Sequence, residues 1–115
     1  MRRLKTYTAS SGYVYHYFYE GRRDFHNAGD AGAEYVFSVS ADRKNWLTVS
    51  VQLGDGPLRA WAVSHARDLT STERYAIAKM ALFQAFDERA TPAQMKDVVR
   101  LRNADVEAFV ETLGL

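Results

Sequence analysis

The sequence predicts an α+β fold, with an antiparallel sheet of three to four strands in its first half and helices in its second. Three observations carry that prediction. The run Tyr13–Tyr19 is built almost wholly of aromatic and β-branched residues, the strongest strand signal in the chain. Two alternating apolar–polar runs follow, separated by a short polar turn. The stretch 70–89 then repeats apolar residues at the three- and four-residue spacing of a helix and stays apolar around most of its girth.

Residues 4–10 form a candidate first strand, and Ser11-Gly12 is an acceptable tight turn. In the second strand, 13–20, Tyr13, Tyr15, Tyr17 and Tyr19 point to one side and Val14, His16 and Phe18 to the other. Both faces are attractive to bury. The strand is therefore covered on two sides, or it holds one face for a partner. Residues 20–32 read as a polar, glycine-bearing connection, longer than most hairpin loops. Strands at 33–41 and 46–53 then form a hairpin, with Tyr35, Phe37, Val39, Val49, Val51 and Leu53 on the packed side.

Gly54-Asp55-Gly56-Pro57 closes the sheet region, and proline suits the first position of a helix over 57–67. The central helix spans 71–89. Thr70 and Glu73 have the spacing of a capping box, and Pro92 enforces a stop. A short helical turn at 92–96, a short strand near 98–102 and an amphipathic helix over 104–113 complete the chain. Asn103 is positioned to cap that last helix and Gly114 to end it. The order of sheet, two helices, a VRLR-type strand and a final ADVEAFV helix resembles that of small bacterial proteins of uncharacterised domain families. The resemblance implies the fold and carries no functional residue with it.

At 115 residues the chain is expected to form one domain, residues 1–115. Cysteine is absent, which removes disulfide scaffolds, thiol catalysis and cysteine-bound zinc. A formal charge of +1, its small excess sitting mainly at Arg2, Arg3 and Lys5, argues against a dedicated nucleic-acid binder. Stacking of single-stranded nucleic acid on the tyrosine strand therefore ranks below packing. The N-terminus lacks the apolar run of a signal peptide, and no stretch is long enough to span a bilayer, so a cytoplasmic protein is expected.

Two groups of residues are candidates for function. Tyr13, Tyr15, Tyr17 and Tyr19 offer a broad surface to a second copy or a protein partner, since tyrosine supplies contact area at low entropic cost. That surplus of apolar surface makes a non-enzymatic, self-associating module, a homodimer, the leading expectation. In the 20–32 segment, Arg22, Arg23, Asp24, His26 and Asp30 gather cations, carboxylates and an imidazole within nine residues. Such a set can bind an anion or orient a histidine base. The competing reading is a solvated loop whose Asp and Asn suit turns. His16, His26 and His65 have no metal-ligand spacing, and no cofactor fingerprint is present, so neither metal nor cofactor is expected.

Overall fold

The computed structural model describes residues 3–115; Arg2, one of the N-terminal cations, lies outside them. Four strands run as an antiparallel meander: β1 (Lys5–Thr8), β2 (Val14–Asn27), β3 (Asp30–Ser40) and β4 (Leu47–Gly54). Two helices, α1 (Asp55–His65) and α2 (Ser71–Glu88), carry the chain over the sheet. After a 3-10 turn at Pro92–Lys96, β5 (Val99–Arg100) pairs parallel to β4, and α3 (Asn103–Leu113) ends the fold. The result is a mixed five-stranded sheet in the order β1-β2-β3-β4-β5, mostly antiparallel, an α+β architecture. Among the described residues, no helix is long and apolar enough to cross a membrane.

The helix α2 fills the role that its sequence predicts. The Thr70 hydroxyl accepts from the Glu73 amide at 3.2 Å, and Glu73 accepts from the Thr70 amide at 2.8 Å. Arg67 joins the same carboxylate at 3.0 Å, and with the Thr70 amide it draws the Glu73 pKa down to about 2. Ile77, Ala78, Leu82 and Phe86 are buried against the sheet. Phe86 stacks on Tyr15 with ring centroids 4.3 Å apart, and Phe83 meets Tyr7 at 4.5 Å.

The tyrosine side of β2 therefore lies beneath the chain's own helix. Tyr15 and Tyr17, expected on an interface, are core residues, while Tyr13 and Tyr19 sit half-open at the two ends of the row. The opposite side, with Val14, His16 and Phe18, faces away from the helices, as the pairing of Phe18 with Ser38, and of Ser38 with Thr48, places it.

Several element ends differ from expectation, the first strand, the end of the first helix and the last strand being shorter than expected, and three further departures are informative. The helix α1 begins two residues before Pro57, with Gly54 in an extended conformation as its N-cap; a side chain at Gly54 would run into the Asp30 carboxylate. Arg102 rather than Asn103 caps α3, its amide donating to Asp105 at 2.8 Å. The third difference is larger. Residues 20–32 are no loop: β2 and β3 continue as a hairpin to a two-residue turn at Ala28-Gly29, with Asn27 paired to Asp30. Most residues of this stretch are exposed, so neither side carries the apolar alternation by which a strand is recognised.

Candidate functional site

A β-bulge builds the site. Between Tyr19, paired with Phe37, and Gly21, paired with Val36, Glu20 is the extra residue. Gly21 has φ of +145°, a conformation that side-chain-bearing residues rarely adopt. Before the bulge the odd-numbered residues of β2 face the helices; after it the even-numbered ones do. Arg22 thus pairs with buried Tyr35, Asp24 with buried Ala33 and His26 with Ala31, all on the helix side of the sheet. Arg23 is turned to the other side. There it forms an ion pair with Glu34, which also accepts from Gln52 at 3.0 Å. Burial alone would raise the Glu34 pKa, and the Gln52 and Arg23 bonds outweigh it and hold the carboxyl below its ordinary value.

Of the five expected ligand residues, Arg22, Asp24 and His26 line one cavity of about 450 Å³. Arg23 lies on the opposite face. Asp30 stands at the hairpin tip, where it accepts from the Ala31 amide at 2.8 Å and packs on Gly54 at the start of α1. A carboxylate there complements the positive end of the helix dipole.

The cavity is completed by residues from elsewhere in the chain: Tyr35 from β3, Asp55 and Leu58 from α1, and Arg74 from the first turn of α2. Arg74 is half-buried, and its Nε donates to the Leu69 carbonyl at 2.9 Å, which fixes the direction of its side chain. A second cavity of about 600 Å³ adjoins the first and shares Arg22, Tyr35 and Arg74 with it; its further walls are Tyr19, Tyr75, Ser71 and Thr72. The Tyr19 and Tyr75 rings meet at 4.8 Å.

Burial pushes the Tyr35 hydroxyl pKa up, while the Arg22 and Arg74 guanidinium groups act on it in the opposite sense. Both cations therefore converge on one buried phenol. Sequence reasoning missed Arg74, Tyr35 and Asp55. One signal for Arg74 was present: a cation in the first turn of a helix opposes the helix dipole and costs stability, so its placement needs another reason.

The histidines lie apart. The His16 Nδ1 meets the Thr6 hydroxyl at 3.3 Å and the Arg43 Nε at 3.4 Å. His65 stacks on Trp61 at 4.4 Å and meets Glu107 at 3.1 Å. Among the described residues, no group of three or more acidic or histidine side chains is arranged to hold a metal ion. The geometry instead suits recognition of a planar anionic group by two guanidinium forks above a phenol floor. No family model, curated protein or solved structure matches the chain.

Proposed function

We propose that the protein is a small-molecule-binding domain that seats an anionic group between Arg22 and Arg74 over Tyr35. One observation carries this reading: two arginines from separate elements, β2 and α2, line both adjoining cavities and act together on one buried hydroxyl. Cavities of several hundred Å³ with a few convergent polar groups are the ordinary form of small-ligand sites. A test that needs no guess about the ligand is native mass spectrometry of the protein taken directly from producing cells. A discrete added mass, lost in a folded Arg22→Ala/Arg74→Ala variant, is the expected result. A bare protein, or an adduct retained by that variant, contradicts the reading.

A second reading rests on the uncovered face of the sheet. Phe18 and Trp46 pair there with ring centroids 5.4 Å apart, Trp46 and Val14 are each 40% exposed, and the helices lie on the other side. Homodimerisation through this face, with Tyr13 and Tyr19 at the margins of the molecule, is the form in which an association role is compatible with the burial of Tyr15 and Tyr17. The same mass spectrum reads it directly, as a dimer that Trp46→Lys dissociates. A monomer at all concentrations removes it.

A further inference from the structure

We infer that the ligand of the Arg22–Arg74 cleft is a zwitterion with an aromatic end, of the chemical class of an aromatic amino acid. The inference rests on the binding role proposed above and adds the ligand's charge pattern and shape.

The first argument is from charge. The smaller cavity is lined by Arg22 and Arg74 on one hand and by Asp24 and Asp55 on the other. These sum to zero formal charge. Opposite charges on one rim would ordinarily close on each other, yet among the described residues no ion pair within 4.0 Å joins either arginine to either aspartate. The fold holds them apart. Arg74 is tied to the Leu69 carbonyl, and Arg22 is turned toward Tyr35. Asp55 sits in the first turn of α1, where the helix dipole favours a carboxylate.

A ligand bearing only negative charge gains at the arginines and is repelled by the carboxylates, and a pure cation meets the reverse. A ligand that carries both signs pairs with both sets. Its carboxylate accepts from the guanidinium forks, the bidentate geometry that arginine favours. Its ammonium reaches Asp24 or Asp55.

The second argument is from shape. On the far side of the arginines the larger cavity is walled by Tyr19 and Tyr75. Tyr19 is 36% exposed, so its ring is reachable, and an aromatic group laid against such a wall is bound at low entropic cost. A polar zwitterion without a ring would leave that wall unused.

The test is calorimetric titration of the purified protein with four probes: L-tryptophan, tryptamine, indole-3-propionate and adenosine monophosphate. Tryptamine lacks the carboxylate, and indole-3-propionate lacks the ammonium. L-Tryptophan is expected to bind at least tenfold tighter than either truncated probe and than the nucleotide. Arg22→Gln should bring its affinity down to that of tryptamine. Asp24→Asn combined with Asp55→Asn should weaken L-tryptophan while leaving indole-3-propionate bound at least as tightly as before, a difference that a folding defect could not produce. Indole-3-propionate or the nucleotide binding as tightly as L-tryptophan overturns the zwitterion and leaves the anion site standing. Binding of none of the four overturns the ligand class, while the native-mass adduct, which depends on no chosen probe, still decides whether the cleft holds a ligand.

Discussion

The two halves of β2 belong to one continuous strand and do opposite work. Residues 14–19 place Tyr15 and Tyr17 under Phe86 and Phe83, in a layer of rings with almost no exposed surface. Residues 21–27 place Arg22, Asp24 and His26 on the same side of the sheet, open to solvent. The difference comes less from composition than from one inserted residue and from what lies above. In the first half the helix covers Tyr15 and Tyr17, so only rings and aliphatics are tolerated at those positions. In the second half Arg22, Asp24 and His26 stay exposed beside Leu58 and Arg74, and charges persist there at little cost. One strand thus anchors the core and carries a cleft.

The largest effect should come from breaking the covered half. Phe86→Ala removes the ring stacked on Tyr15 and should cost about 3–5 kcal/mol, measured by chemical denaturation. A change below 1 kcal/mol, well short of that range, would mean that α2 does not close this half of the sheet.

Next comes the junction. Gly21→Val forces a β-branched residue into φ of +145° and should cost on the order of 1–3 kcal/mol. Because the bulge sets which residues face the helices, the same change should also reduce binding of any ligand to the cleft.

At the covered end, Tyr7 donates to Asp87 at 2.7 Å, and that bond, with burial, pushes the phenol pKa from about 10 to about 12. The folded state favours the protonated phenol. Its contribution is therefore complete below pH 10 and is lost as pH rises toward 12. Alkaline unfolding should steepen across that window, and Tyr7→Phe should flatten it.

A smaller effect is expected at Tyr15, whose buried hydroxyl has no hydrogen-bond partner among the described residues. Removing an unpaired polar group from a core is neutral or favourable, so Tyr15→Phe should leave stability unchanged or raise it by up to about 1 kcal/mol. A loss of stability would reveal a partner for that oxygen. The smallest stability change belongs to the open half. Arg22→Ala should stay within about 0.5 kcal/mol in denaturation and still abolish ligand binding, which separates the two roles of the strand.

The covered half was legible in the sequence, and the open half was not. The aromatic row, the alternation of 33–41 and 46–53 and the capping box of Thr70 and Glu73 are all consequences of burial or of backbone satisfaction, and both leave periodic or fixed-spacing traces. The stretch Glu20–Asn27 pairs as regularly as its neighbours, yet without a covering layer it has no apolar period, and it read as a loop. Its density of charged residues was legible all the same, and three of the five candidates there line the cleft. Arg23 and Asp30 are set apart by the bulge and by the tip geometry, neither of which alternation predicts. Arg74 and Tyr35 lie in other elements, and their approach to Arg22 is a product of tertiary packing alone.

The claim on which the site depends is that the bulge at Glu20 turns Arg22 toward the helices and Arg23 away. The direct measurement is the set of side-chain nuclear Overhauser contacts in the isotope-labelled protein. Contacts from the Arg22 methylenes to the Tyr35 ring, together with contacts from Arg23 to the Glu34 methylenes, are the predicted result. Contacts from Arg23 to the Tyr35 ring, with Arg22 near Glu34, would contradict it and dissolve the cleft.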